Sequence, residues 1–430
     1  MHLIDRKHYL DATLAYRDKG LVSVITGLRQ CGKSSLLALI ADHLLNDGIA
    51  PDRIISLNLD SPELHSISSA SDLHDCITTR IAGVQHPSIL IDEVQRVHQW
   101  ADVLSTLCTD VDCDFYVTGS NAFVFPDESA ANYPGRFVEI KMFPLTFAEF
   151  LNFRGLEWFS AENAQSDLAT DGQIFHTLAR LFEEYRHFGG MPHLASSEID
   201  HEQHRRYTES LYRSIVTKDI IERAETRPQR SLSNPDLLKR LCLFYADAIG
   251  FSSSFHQIAM TLKTEKTYTA PATVEAYTDA LIDACLFYPV PRFDIKSGSH
   301  LKTLGKHYIV DTGLRNYLLG YKETSQGRVL EDIVYLQLLF NGFDVTIGKI
   351  GQDEINFVAT KPQRKLYIQV SKDMSNPQTQ EQELMPLKRV KDSYPKYVIV
   401  GKGSYPVDIN GIRIVQLIDF LLGRTDRELL

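Results

Sequence analysis

The sequence predicts an α/β fold built on a parallel sheet covered by helices. Three observations predict it. Short β-branched, apolar runs at 21–26, 54–59, 88–91 and 115–118 alternate with stretches of helical periodicity. The first run leads directly into a loop, Gly27-Leu28-Arg29-Gln30-Cys31-Gly32-Lys33-Ser34. After that loop, Leu36, Leu37, Ile40, Leu44 and Leu45 recur at the spacing of one helical face. Strand, glycine loop and helix in that order make a phosphate-binding unit.

Taken in order, residues 1–20 read as helical and end at Gly20, ahead of the first strand. The four strand runs follow, and 137–140 is the expected last strand of this sheet. Pro144 then precedes a helix over Phe147–Phe153. Residues 154–175 are polar and poor in β-branched residues, which marks a connector. Residues 176–225 read as helices, broken at Gly189-Gly190-Met191-Pro192. The polar stretch Arg227-Pro228-Gln229-Arg230-Ser231 is the next boundary. Helices followed by short strands fill 236–320, and from about 327 the order is helix, three strands, helix, strand. The expected division is an ATPase-like region 1–155, a helical lid or connector 156–235, a module 236–320 and a C-terminal domain 321–430.

The chain has 430 residues, 43% hydrophobic and 23% charged, the composition of an ordinary globular protein. A formal net charge of -10 argues against a general nucleic-acid binder, although a local basic face is compatible with it. The N-terminus lacks the apolar core of a signal peptide, and no apolar run approaches the ~20 residues that span a bilayer. Six scattered cysteines form no C-x-x-C pair, so neither a zinc site nor a disulfide framework is expected. These features point to a cytoplasmic protein with no membrane partner.

The chemistry is concentrated at the glycine loop. Gly27 and Gly32 let successive backbone N–H groups turn inward around phosphate oxygens, and the following helix offers its positive end to the same anion. Gly27, Arg29, Gln30, Cys31, Gly32, Lys33, Ser34 and Ser35 are the expected nucleotide-binding residues. Lys33 would reach the outer phosphates, and the Ser34 hydroxyl would bind Mg²⁺. The run Ser88-Ile89-Leu90-Ile91-Asp92-Glu93 is an apolar strand that ends in two acids. Asp92 is the second expected Mg²⁺ residue, and Glu93 is the expected base that polarises the attacking water. A further strand ends at Thr118-Gly119-Ser120-Asn121, so Asn121 or Ser120 is placed to sense the outer phosphate. Arg136, after Gly135, is the candidate for stabilising transition-state charge, in cis or in a neighbouring copy; a plain surface arginine is the alternative. Cys31 reads as a small apolar filler, with a reactive thiol at a helix N-terminus as the alternative.

These motifs, with Gln95 after Ile91-Asp92-Glu93-Val94 and Pro144-Leu145-x-Phe147-x-Glu149-Phe150, resemble the prokaryotic AAA-type ATPases (AAA_14) that carry a DUF4143 C-terminal region. Further matches are Gly189-Gly190-x-Pro192, Lys218-Asp219-Ile220, Val310-Asp311-x-Gly313-Leu314, Glu331-Asp332-x-Val334-Tyr335 and Lys391-Asp392-x-Tyr394-Pro395-Lys396. The resemblance covers nearly the whole chain. It implies ATP rather than GTP, in agreement with the absence of an Asn-Lys-x-Asp motif, and it implies a base held near Arg6 to Tyr9.

Residues 254–262, a turn at 263–268 and a helix over Pro271–Asp283 resemble a helix-turn-helix, with 286–290 and 307–310 as a wing. The resemblance to the family supports a winged-helix-like module. The second helix bears Glu275, Asp279 and Asp283 and no lysine or arginine, which is poor for approaching phosphates. Basic residues surround it instead: Lys263, Lys266, Arg292, Lys296, Lys302 and Lys306. A protein partner is therefore preferred to DNA, which stays as the second candidate. The C-terminal order of elements resembles the PD-(D/E)xK nuclease fold in a degenerate form. Glu331 fits the helix acid, but Asn356 stands where an Asp is expected, and Gln369 and Ser371 stand for the Glu and Lys. Partial substitution by Glu354, two residues before Asn356 on the same strand face, is the less favoured alternative. No nuclease activity is expected. The functional expectation is a Mg²⁺-dependent ATP-hydrolysing switch whose C-terminal half is a partner platform, with nucleotide-dependent self-association as a further expectation. The alternative is an ATP-gated DNA-binding regulator.

Overall fold

The computed structural model describes residues 4–120, 135–156, 172–195, 200–222, 232, 234–264, 267–321, 326–403, 406–425 and 427–430. The chain divides into two compact units. One comprises Met1–Phe143 with Asp283–Cys285, the other Pro144–Ile282 with Leu286–Leu430.

The first unit runs α1 (Lys7–Leu14), β1 (Val22–Gly27), α2 (Lys33–Asn46), β2 (Ile54–Asn58), α3 (Ala70–Ile81), β3 (Ser88–Asp92), α4 (Trp100–Asp110), β4 (Asp114–Gly119) and β5 (Phe137–Met142). The strands form one sheet in the order β2-β3-β4-β1-β5, with every pair parallel. Every residue of β1, β3 and β4 is buried, as expected of central strands covered on both faces. Their apolar side chains pack with Leu73 and Ile77 of α3 and Trp100 and Leu104 of α4. Parallel pairing puts all strand ends of one kind on one edge. Gly27, Asp92 and Gly119 share the carboxyl-terminal edge; Val22, Ser88 and Asp114 share the opposite one. The expected strands all form. The helix expected over 1–20 is shorter, Lys7–Leu14, because Ala15 to Gly20 turn toward β1 and both Asp18 and Gly20 adopt positive φ.

The second unit begins with helices: α5 (Phe147–Phe153), α6 (Gly172–Phe188), α7 (Pro192–Ala195), α8 (His201–Ser214) continuing into a π-helical turn at Ile215–Ile221, α9 (Pro235–Asp247), α10 (Phe255–Thr264) and α11 (Pro271–Asp283). It continues with β6 (Phe287–Asp294), β7 (Ser299–Ile309), α12 (Thr312–Leu319), α13 (Gln326–Phe340), β8 (Asp344–Ile350), β9 (Asp353–Lys361), β10 (Arg364–Asp373), α14 (Pro377–Arg389), β11 (Lys396–Lys402), β12 (Asp408–Ile409), β13 (Ile412–Gln416) and α15 (Leu417–Leu421). The strands make an eight-stranded mixed sheet in the order β12-β13-β11-β10-β9-β8-β6-β7.

The sheet runs unbroken across residue 320: β6 and β7 form the expected antiparallel hairpin, but β6 also pairs in parallel with β8 through Arg292↔Ile347 and Asp294↔Lys349. The backbone groups of the inner hairpin strand are thus satisfied by the larger sheet. A wing separate from the C-terminal domain does not form. The first compact unit ends at Phe143, where the sequence placed a boundary at 155.

Three sequence motifs that carried no evident chemistry meet inside this second unit. The Asp311 carboxylate accepts from the backbone N–H of Gly190 at 2.7 Å and of Leu314 at 3.0 Å, capping α12. A Cβ at Gly189 would lie 2.3 Å from Asp311 Oδ1, and one at Gly313 would lie 2.1 Å from the Phe188 carbonyl. The Gly190 carbonyl accepts from Leu145 N–H at 2.7 Å. The glycines are therefore required by close backbone approach, and burial pushes the Asp311 pKa up to about 6.

Candidate nucleotide site

The loop between β1 and α2 folds as its glycines dictate. Gly27 has φ +148° and Gly32, the residue before α2, has φ +110°, values that favour glycine. A Cβ on Gly27 would stand 2.1 Å from the Met142 carbonyl oxygen of β5. Cys31 is buried and its thiol donates to the same carbonyl at 3.5 Å, the position of a small filler. Gln30 adopts a left-handed φ of +63° at the exposed turn.

Lys33 opens α2. Its side chain is buried, and its ammonium donates to the carbonyls of Gly27 at 3.0 Å and Leu28 at 2.9 Å. Ser34 and Ser35 are exposed in the first turn, next to the positive end of the helix dipole. The Arg6 guanidinium, itself buried, donates to the Cys31 carbonyl at 3.0 Å and the Phe143 carbonyl at 3.1 Å. Tyr9 OH accepts from Phe143 N–H at 3.1 Å. The segment from Arg6 to Tyr9 therefore fastens the loop's rear to the end of β5.

The two acids stand at the carboxyl end of β3. Asp92 is buried and accepts a hydrogen bond from Thr118 Oγ1. The same threonine oxygen accepts from Glu93 N–H at 3.0 Å. Glu93 turns the chain with φ +59° and ψ +45°, which redirects its side chain at the strand tip. One Glu93 oxygen accepts from Ser120 Oγ at 2.6 Å, and the other accepts from Gln95 Nε2. Between β3 and β1 lies only β4, whose tip carries Thr118 and Ser120.

The structure thus brings Lys33, Ser34, Asp92, Glu93 and Ser120 to one edge of one sheet. Arg136 does not join them. It precedes β5, its carbonyl accepts from Val22 N–H at 2.9 Å, and its guanidinium donates to the Gly20 carbonyl at 3.5 Å and to Thr109 Oγ1 at 3.3 Å. That is the opposite edge, about 16 Å away along five residues of strand. Within one chain Arg136 does not reach the loop, because a residue before a parallel strand and a residue after it lie on opposite edges. Asn121 lies outside the described residues. Thr118 and Gln95 were not singled out as site residues, although both sit inside the quoted motifs; Arg6, expected only near the base, is joined to the loop by tertiary folding.

A second polar centre lies in the larger sheet. Lys306 of β7 is buried, and its ammonium contacts Glu331 of α13 at 3.1 Å and Glu354 of β9 at 2.7 Å. Tyr308 OH donates to the same Glu331 oxygen as Lys306. Burial alone would lower the Lys306 pKa, but the two carboxylates outweigh it and hold the pKa above the usual lysine value. Gln369 accepts from Asn356 N–H at 3.1 Å and donates to Glu383 at 2.9 Å; the Asn356 side-chain oxygen accepts from Val370 N–H at 2.9 Å. Burial, with Glu331 nearby, raises the Glu383 pKa against the lowering effect of Gln369. Lys306 was expected among the basic residues surrounding the helix-turn-helix. It is instead an internal counter-ion.

The first unit carries an AAA-type, ATPase-like domain. Residues 19–151 match the AAA domain family AAA_14. The chain belongs to the same family as an uncharacterized protein of Haemophilus influenzae, 33% identical over 421 residues that span 98% of this chain and 99% of the relative. A second relative, the uncharacterized protein MJ1544 of Methanocaldococcus jannaschii, is 26% identical over 75% of this chain and 67% of its own. The Walker-type ATPase PABY2304 of Pyrococcus abyssi is similar at a TM-score of 0.47 and 15% identity, over 73% of this chain and 95% of that one. Where DUF4143 was expected, residues 179–325 match a different domain of unknown function, DUF8612. Among the described residues no helix is long and apolar enough to cross a membrane.

Proposed function

We propose that the chain binds ATP with Mg²⁺ at the carboxyl-terminal edge of the five-stranded sheet and hydrolyses it, and that turnover drives a conformational switch for which the C-terminal half is the partner platform. The observation that carries this reading is the placement of Asp92 and Glu93 one strand away from the β1–α2 loop, with Thr118 and Ser120 of the intervening strand holding both acids. Lys33 at present holds two neutral carbonyls. A triphosphate is a stronger, charge-assisted acceptor, so the ammonium can exchange onto it. The exposed Ser34 hydroxyl and the Asp92 carboxylate fit Mg²⁺ as oxygen donors, and Mg²⁺ bound there would neutralise phosphate charge. Glu93 orients the attacking water and takes its proton; both of its present donors, Ser120 and Gln95, are neutral and exchangeable.

The test is ATPase turnover together with mass measurement of Glu93→Gln in ATP and Mg²⁺. We expect the variant to retain ATP and lose hydrolysis, and an assembly change with ATP would support nucleotide-dependent self-association. Hydrolysis at the wild-type rate would remove Glu93 from its role.

The alternative, an ATP-gated DNA-binding regulator, is weaker. Lys306, one of the basic residues it counts on, is buried and paired with Glu331 and Glu354. Glu275 is exposed on α11, where a recognition helix would have to approach phosphate. Absence of nuclease activity is part of the same proposal. The Lys306 ammonium sits between the two carboxylates that a divalent cation would need, and Asn356 and Gln369 are neutral and already hydrogen-bonded.

A further inference from the structure

The edge of the five-stranded sheet opposite the nucleotide site carries a second constellation. Asp18 in the turn before β1, His86 in the turn before β3 and Asp114, the first residue of β4, come from the entries of three adjacent strands. His86 Nε2 lies 2.9 Å from Asp18 Oδ1 and 3.4 Å from Asp114 Oδ2, and the ligand atoms of all three lie within 4.8 Å of one another. Ligands on a tetrahedral cation with bonds of ~2.0–2.1 Å stand roughly 3.3 Å apart. The two measured separations bracket that value.

Each of the three is also held from behind. His86 Nδ1 lies 3.0 Å from the exposed Asp112 carboxylate, which fixes the ring and directs Nε2 at the other two acids. The His86 carbonyl accepts from Arg53 at 2.9 Å and 3.3 Å. Asp114 is buried, and its Oδ1 accepts from Asp18 N–H at 2.9 Å, which leaves Oδ2 turned to the cluster. Asp18 Oδ2 faces Arg17 at 3.7 Å. A carboxylate on the far nitrogen of a ligating histidine is the usual outer support of a metal site. With Nδ1 held by Asp112, Nε2 faces two carboxylate oxygens, an arrangement that positive charge at Nε2, a ring proton or a bound cation, makes attractive. Nitrogen with two carboxylate oxygens suits a borderline divalent ion and not Mg²⁺, which takes oxygen.

We propose that His86 Nε2, Asp18 and Asp114 bind one divalent cation of the Zn²⁺ class, with Asp112 as the outer support. The site is far from the nucleotide loop. It fastens together the entries of β1, β3 and β4, so its occupancy stabilises the sheet.

The test uses the full-length protein, stripped with a chelator and free of nucleotide, titrated calorimetrically with Zn²⁺. We expect saturable binding of one equivalent, a rise in melting temperature, and indifference to excess Mg²⁺. Asp18→Asn and Asp112→Asn change exposed side chains and leave the fold intact by circular dichroism; Asp18→Asn should weaken Zn²⁺ by more than about tenfold and Asp112→Asn by about tenfold. His86→Gln should abolish binding. Co²⁺ in place of Zn²⁺ should show visible bands without sulfur-to-metal charge transfer. No saturable Zn²⁺ uptake would overturn the proposal and leave a proton on His86, with Arg17 beside Asp18, as the counter-charge. So would unchanged affinity in Asp18→Asn and His86→Gln, or a thiolate signature that moves the ion to the cysteines.

Discussion

The nucleotide edge and the Lys306 centre are made from the same kinds of residue, yet they differ in what those residues already hold. Each has a buried lysine with two acids nearby, at the tip of β3 in the first and on α13 and β9 in the second. At the nucleotide edge Lys33 rests on two neutral carbonyls, the acids accept from hydroxyls and an amide, and Ser34 and Ser35 face solvent. In the larger sheet the ammonium of Lys306 meets Glu331 and Glu354 directly, and Gln369 and Asn356 are engaged with Glu383 and the backbone. A triphosphate can displace a carbonyl from an ammonium. It has no comparable means of displacing two carboxylates in a low-dielectric interior. Availability, more than residue type, separates the two centres.

The comparison can be broken most severely at Lys33. Lys33→Ala should lose ATP binding and turnover together, measured by nucleotide-binding calorimetry and phosphate release. Glu93→Gln should keep ATP binding while turnover falls by about 10²–10⁴-fold, the range of a lost general base. At the second centre, Lys306→Met should leave turnover of the first unit's site intact and destabilise the fold. We expect a loss of roughly 2–4 kcal/mol in denaturant unfolding, below the value for a fully buried pair because Glu354 is partly exposed to solvent. If Mn²⁺ raises the melting temperature of this variant and not of wild type, the ammonium occupies a cation's position.

His307, next to Lys306, gives a pH test of the same region. It packs on Tyr245 with ring centroids 4.5 Å apart, and burial pushes its pKa down from 6.5 to about 4. The folded state therefore prefers neutral imidazole. The stability this contributes is complete above pH 6.5 and is lost as pH falls from 6.5 through 4, by up to about 3 kcal/mol. Denaturant unfolding of His307→Phe across that window should show a shallower decline than wild type. The smallest effect belongs to Arg136→Ala, where ATP turnover of the isolated chain should stay within about twofold, since the guanidinium sits on the far edge with Gly20 and Thr109. A large loss that appears only at concentrations where copies associate would assign Arg136 to a neighbouring copy's site.

Much of the first unit was legible because its signals are contiguous. Strand, glycine loop and helix follow one another within residues 22–46, and the acids of β3 directly follow its apolar run. For Arg136 the sequence left a role in cis, a role in a neighbouring copy and a plain surface position open; Gly135 and Arg136 precede β5, and parallel pairing places such residues at the entry edge, which disfavours the role in cis. The second unit was less legible. The strands were readable, but the pairing of β6 with β8 joins segments more than fifty residues apart and has no local signature. The Gly189-Gly190 and Asp311-x-Gly313 motifs were visible as motifs, and only their meeting explained them.

By itself the sequence determined the glycine loop, the two acids at the tip of β3, and the alternation that makes a parallel sheet. All of these are written in neighbouring residues, because turn geometry and strand or helix period are local properties of a chain. Tertiary structure decided which polar groups are free to act. It set Thr118 and Ser120 on the acids, turned Lys306 inward to neutralise Glu331 and Glu354, sent Arg136 to the opposite edge, and gathered Asp18, His86 and Asp114. Those outcomes depend on strand order and side-chain burial, which bring together residues from up to about a hundred positions apart and fix the partner each charge must find.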